Sequence, residues 1–112
     1  MGDTLDDSVQ RQVVAYNDHD VDAFVGCYSD DVVIEDGLGQ LSVQSREQLR
    51  QRYTAFFAAA PAARAEITSR IRVGSYVIDE ERVSGLPTGD LHAAVVYRLG
   101  PDGLIEHVRV LT

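Results

Sequence analysis

The segment Val32-Val33-Ile34-Glu35-Asp36 contains the first residue whose setting could do chemistry. It is β-branched and bounded by Gly37 and Gly39, which predicts a strand. Period-2 alternation places Val32, Ile34 and Asp36 on one face and Val33 and Glu35 on the other. A carboxylate sharing a face with two aliphatic side chains can act as a general base, because burial raises its pKa toward a useful range. The plainer alternative is a strand-end carboxylate solvated at the sheet rim or bonded to the backbone around Gly37.

A second set comes from the C-terminal hairpin. Gly100-Pro101-Asp102-Gly103 is a turn signal between two apolar runs. Pairing Leu99 with Leu104 sets Tyr97 against Glu106, Val95 against Val108 and Ala93 against Val110. Tyr97 and Glu106 then face a pocket, either as a hydrogen-bonded pair or as a second acid–base group. The opposite side pairs Arg98 with Ile105, Val96 with His107, Ala94 with Arg109 and His92 with Leu111. Both faces are substantially apolar, whereas a sheet covered on one side only would show a clean polar face. Three helices can cover one face, and a homodimer packed through the outer face covers the other.

The remaining reactive types have plain explanations. The lone Cys27 cannot form an internal disulfide and fits a small buried apolar site. His19 falls in an interhelical turn, and His92 and His107 fall on the predicted dimer face. None has the spacing of a zinc site, so no metal or cofactor is expected. The Asp79-Glu80-Glu81 run reads as a solvated stretch, although alternation turns one or two of these inward.

The elements that must position these residues are set by pattern. Leu5, Val9, Val13 and Tyr16 form an amphipathic helical stripe, with Asp6, Asp7 and Ser8 near its start. Asp20 caps a second, short helix carrying Val21, Phe24, Val25 and Tyr28, closed by Ser29-Asp30-Asp31. Ser45-Arg46-Glu47-Gln48 is a capping box opening a third helix with Leu49, Tyr53, Phe56 and Phe57 on one side. Strands are predicted over 64–73, 76–86, 91–99 and 104–111. The expected class is α+β, with three N-terminal helices packed on a strongly curved antiparallel or mixed sheet.

At 112 residues, 45% hydrophobic and 25% charged, the chain suits one domain over 1–112. Its net charge of −8 repels phosphate backbones, which excludes nucleic acid. No run approaches the roughly 20 apolar residues of a membrane span. The acidic start, Met1 to Asp6, lacks a signal-peptide pattern, so a cytoplasmic location is expected.

The order helix, helix, strand, helix, then antiparallel strands resembles the nuclear-transport-factor-2-like fold, in its SnoaL-like and steroid Δ-isomerase-like branch. The residues that carry the resemblance are 16–24 (YNDHDVDAF), 27–36 (CYSDDVVIED), Arg46-Glu47-Gln48-Leu49, Glu81-Arg82-Val83-Ser84-Gly85, Tyr97-Arg98-Leu99 and Asp102-Gly103-Leu104-Ile105. Ketosteroid isomerases of this fold use an Asp to shuttle a proton, opposed by a Tyr and a protonated Asp. The resemblance places the base on Asp36 and the supporting tyrosines on Tyr28 and Tyr53. The oxyanion tyrosine falls on Gln12 and the protonated Asp on Val95. Tyr16, one helical turn beyond Gln12, or Tyr53 would then have to donate instead.

The resemblance thus implies a conical pocket for a small apolar molecule, with Asp36, Tyr53 and Tyr16 catalytic. Gln12, Phe24, Tyr28, Phe57, Val95, Tyr97, Glu106 and Val108 would line it. Proton transfer on a carbonyl substrate is the implied reaction. A non-catalytic binder of apolar metabolites and a protein-interaction module are the alternatives.

Overall fold

A computed structural model describes residues 7–112. The predicted contributions of Leu5 and Asp6 to the first helix lie outside the described residues. Three helices, α1 (Ser8–Asp18), α2 (Val21–Val25) and α3 (Arg46–Ala59), pack against six strands. The strands are β1 (Tyr28–Asp36), β2 (Leu41–Val43), β3 (Arg64–Val73), β4 (Tyr76–Ser84), β5 (Leu91–Leu99) and β6 (Ile105–Leu111). They form one sheet in the order β2-β1-β6-β5-β4-β3, in which β1 and β6 are parallel and all other neighbours antiparallel. The architecture is the expected α+β one, with a mixed sheet. Among the described residues no helix is long and apolar enough to cross a membrane.

Local chemistry starts each helix. Asp7, Asp20 and Ser45 are the N-caps, each accepting a backbone N–H from the first turn. At α3 the capping box is reciprocated one residue early, since Gln48 Oε1 accepts from the Gln44 N–H at 2.8 Å. Gly85 ends β4 with φ +75, and a Cβ there would lie 1.9 Å from the Ala62 carbonyl oxygen. Only glycine fits that crossing of strand end and helix–strand loop.

Two expectations about strands are corrected. β1 begins at Tyr28, so Ser29-Asp30-Asp31 belongs to the sheet and does not close the second helix. The hairpin register also differs: Tyr97 pairs with Val108, Arg98 with His107 and Leu99 with Ile105, with a break between Arg98 and Leu99. A bulge inserts an extra residue into one strand and changes which way the residues beyond it face. Ile105 therefore turns inward and is fully buried. Glu106 is displaced from the interior and pairs with Arg98 at 3.0 Å. The expected Tyr97–Glu106 pair does not form.

The core lies between the helices and the inner sheet face, with Val9, Phe24, Val25, Val32, Leu49 and Ile105 almost wholly enclosed. One ion pair is enclosed with it. Asp79 on β4 is 0% exposed, and both its oxygens are held by Arg70 of β3, Nε at 2.6 Å and Nη2 at 2.8 Å. Arg70 Nη1 donates in turn to Gln10 Oε1 on α1 at 2.6 Å, which ties the first helix to the sheet. Removing one partner of a buried pair strands the other without compensation. Arg70→Met should therefore lower unfolding free energy by about 3–5 kcal/mol, read as a fall in the urea midpoint. A cost under about 1 kcal/mol would mean that Asp79 finds water or another donor.

Candidate functional site

The buried face of α1 runs through Ser8, Val9, Gln12 and Ala15. Two of these are polar, and each must be satisfied. Ser8 donates to the Gly103 carbonyl at 2.7 Å, locking the helix to the last hairpin turn. Gln12, 5% exposed, bridges two phenols. Its Nε2 donates to the Tyr97 hydroxyl and its Oε1 accepts from the Tyr28 hydroxyl, both at 3.1 Å. An amide in this position takes one phenol's donor and another's acceptor, which leaves a single hydroxyl hydrogen over. In the observed orientation that hydrogen belongs to Tyr97.

This network borders a cavity of about 210 Å³ between the helices and the concave sheet face. Most of its wall is apolar, including Val13, Phe24, Ile34, Phe56, Val95 and Val108. Its polar groups are Gln12, the phenols of Tyr16, Tyr28, Tyr53 and Tyr97, and the carboxylate of Glu81. An apolar chamber with a few convergent polar groups is the usual form of a small-molecule site. The larger hollow near the β3–β5 ends, about 480 Å³, is instead lined by charged side chains such as Arg64, Glu66, Arg82 and Asp90.

Aromatic side chains build the helical wall. Phe24 lies 4.6 Å from Tyr53 and 5.1 Å from Tyr28 between ring centroids, and Tyr16 lies 5.8 Å from Phe56. Burial raises the pKa of all four cavity tyrosines, most strongly for Tyr28 and Tyr97. They therefore stay protonated and act as hydrogen-bond donors across the working pH range.

Eight of the residues predicted from sequence come together here: Gln12, Tyr16, Phe24, Tyr28, Tyr53, Val95, Tyr97 and Val108. Phe57 stands behind the wall, stacked on His19 at 5.0 Å and edge-on to Tyr16. Glu106 is outside, turned away by the hairpin bulge and paired with Arg98. Asp36 is also outside the cavity. Its Oδ1 accepts from the backbone N–H groups of Leu38 at 2.8 Å and Gln40 at 2.9 Å, holding the β1–β2 turn. Asp36 lines a separate outer hollow of about 450 Å³, which shares Ile34, Tyr53, Leu91 and Val110 with the inner cavity. The carboxylate thus stands at the rim of the site, and a strand-end aspartate followed by glycine is the sequence sign of that turn role.

Glu81 is the cavity residue that sequence reasoning left in a solvated run. On β4, Val77, Asp79, Glu81 and Val83 share the inward face, and Glu81 pairs with Ile67 and Ala93 on its neighbour strands. No hydrogen bond among the described residues reaches its carboxylate, and burial, then the charge of Asp79, pushes its pKa up to about 7. Arg70, the cation that shares this side of the sheet, is already engaged by Asp79. Strict alternation from Val77 and Val83 was the available signal. Among the described residues no three His, Cys, Asp or Glu side chains are grouped to hold a metal ion.

The SnoaL-like domain model matches residues 9–108, and the chain belongs to that family. No curated protein matches the sequence. Among solved structures, a cystatin-fold protein from Novosphingobium aromaticivorans is 26% identical, with a TM-score of 0.88 over 94% of this chain and 95% of the other. A candidate polyketide cyclase from Sinorhizobium meliloti shares 23% identity and a TM-score of 0.81 over 98% of both chains. A ketosteroid isomerase-like fold from Catenulispora acidiphila, in complex with trimethylamine, shares 18% identity and a TM-score of 0.76 over 96% of this chain and 85% of that one. The two structures below 25% identity establish the fold and nothing finer.

Enclosing Glu81 has a measurable consequence. The folded chain keeps this proton up to about pH 7, whereas an ordinary glutamate releases it near 4.5. Stability from the neutral carboxyl is fully present below about pH 4.5 and is lost as pH rises through about 7. Glu81→Gln should match the wild-type unfolding free energy at about pH 4.5 and exceed it at about pH 8, by an amount on the order of 3 kcal/mol. Parallel thermal melts across that range measure it, and an unchanging difference would show Glu81 ionising freely.

Proposed function

We propose that this protein is a small-molecule enzyme of the ketosteroid isomerase-like kind, moving a proton within an apolar, carbonyl-bearing molecule held in the inner cavity. The observation that carries this is the Tyr28–Gln12–Tyr97 chain, which ends in one phenol hydrogen in a largely apolar chamber that also holds the Glu81 carboxylate. A carbonyl oxygen is the acceptor such a donor suits, and its hold strengthens as negative charge develops on that oxygen. Gln12 and Tyr97 thereby take over the task that a Tyr and a protonated Asp perform in ketosteroid isomerases. The inner volume falls below the roughly 300–1,000 Å³ of drug-sized sites, which favours a compact, monocyclic substrate there. A larger substrate would extend past Ile34 and Tyr53 into the outer hollow, where Asp36, the base implied by the resemblance, is placed.

Tyr97→Phe tests the donor, because the ring still packs while the hydroxyl is lost. Catalysed deuterium exchange at the α-carbon of small cyclic ketones should fall about 10²–10³-fold, with ketone binding weakened less. A variant exchanging at the wild-type rate would remove Tyr97 from the mechanism. The second reading, a binder without turnover, is favoured by the engagement of Asp36 in its turn. It predicts ketone binding by the wild-type protein with no exchange.

The partner we propose is a second copy of the chain, docked on the outer sheet face. Ile71, Val73, Tyr76 and Leu111 are 40–61% exposed there, and Ile71 pairs with Ile78 and Val73 with Tyr76 across β3 and β4. An apolar patch on a sheet face is suited to self-complementary contact. Sedimentation should give a dimer, and Ile71→Glu combined with Val73→Glu should give a monomer. A monomeric wild-type protein would refute the interface.

A further inference from the structure

We propose that Glu81, and not the rim carboxylate Asp36, is the group that takes and returns the substrate proton. This rests on the proposed proton-transfer function and names its base. Glu81 is the carboxylate that lines the inner cavity, where it faces the same space as the Tyr97 hydroxyl. Asp36 reaches only the outer hollow, with one oxygen already accepting two backbone N–H groups. A base must stand within hydrogen-bond reach of the proton it removes, and a substrate bonded to Tyr97 is placed before Glu81.

The electrostatic setting agrees with the geometry. Asp79 lies on Glu81's own strand and is neutralised by Arg70 of β3. From the other elements Glu81 is faced by phenols: Tyr16 of α1, Tyr28 of β1, Tyr53 of α3 and Tyr97 of β5. Two carboxylates on one strand face thus differ in setting: Asp79 is held by Arg70, whereas burial and the charge of Asp79 push the pKa of Glu81 up to about 7. Among the described residues no hydrogen bond occupies the Glu81 carboxylate where it lines the cavity.

The step balances without any other reactant. For a β,γ-unsaturated ketone, the Glu81 carboxylate removes a proton from the carbon between the carbonyl and the double bond. The C–H electron pair becomes the new π bond of a dienolate, whose oxygen accepts from the Tyr97 hydroxyl. The Glu81 carboxylic acid then returns the proton to the γ-carbon, the double bond moves into conjugation, and the carboxylate is regenerated.

The test uses cyclohex-3-en-1-one, whose conversion to the conjugated cyclohex-2-en-1-one is followed by ultraviolet absorbance. Glu81→Gln should lower kcat/KM by at least about 10²-fold, the scale of a lost general base, while cyclohexanone still shifts its cavity resonances. Asp36→Asn should cause a loss at least about tenfold smaller. Glu81→Asp, which keeps a carboxylate, should recover part of the loss, and the wild-type rate should rise with pH around a midpoint near 7. Equal rates for Glu81→Gln and wild type, or a loss concentrated in Asp36→Asn, would overturn the assignment to Glu81 and leave the proton-transfer function standing. A wild-type protein that neither isomerises the enone nor exchanges its α-protons would overturn both.

Discussion

Arg70 sits where β3, β4 and α1 meet, and its guanidinium is fully occupied by Asp79 and Gln10. A buried carboxylate needs a fixed cation, since its desolvation cost is otherwise uncompensated. Meeting that need has two effects. The first helix is fastened to the sheet at one end, and a cation close to the cavity is withdrawn from Glu81. The neighbouring glutamate is left among apolar side chains and neutral phenols, where the proton is the economical way to remove its charge. The scaffold and the chemistry of the cavity are therefore linked through one ion pair.

Irregularities in the sheet shape the chamber. The break between Arg98 and Leu99 brings Ile105 into the core and sends Glu106 to the exterior. A similar break in β3 between Ile67 and Ser69 lies beside the strand position of Glu81. Bulges bend a strand and raise its twist, which lets the sheet curve around the helices and leaves room between Tyr97, Val95 and α1. The Gln12 bridge then holds the two phenols in the wall of that room. A buried amide with both of its functions satisfied is held in place, because turning it away from the two phenols would strand its polar atoms.

The chain has the fold of the SnoaL-like family, with an aromatic wall on the helical side of its cavity. The resemblance to ketosteroid isomerases implies a tyrosine and an aspartate at the positions held here by Gln12 and Val95. Tyr97 and Glu81, on adjacent strands, supply a donor and a carboxylate from a different part of the same cavity. A shared fold with relocated polar groups is how one architecture comes to host distinct reactions.

The local elements were legible because each is decided by neighbours in sequence. Asp20 and Ser45 announce helices through their caps, β-branched runs announce strands, and the α1 stripe places Val9, Val13 and Tyr16 on the core side, with Gln12 entering through the family resemblance. The aromatic residues Phe24, Tyr28 and Tyr53 were legible as one wall through the family resemblance. Two placements were not, and the turn role of Asp36 was legible only as the plainer of two readings. Asp36 follows the alternation of its strand, yet the free N–H groups of Leu38 and Gln40 capture its oxygen at the turn. Glu106 depends on a bulge, which shifts register at a point that pairing rules cannot locate from one strand alone. Glu81 depends on which of two inward carboxylates Arg70 would reach, a choice made by the β3–β4 register and the position of α1. The sequence alone determined the periodicity, the caps and the inventory of side chains. The tertiary structure decided which carboxylate is tied down and which one faces the cavity, because that outcome rests on contacts between residues far apart along the chain.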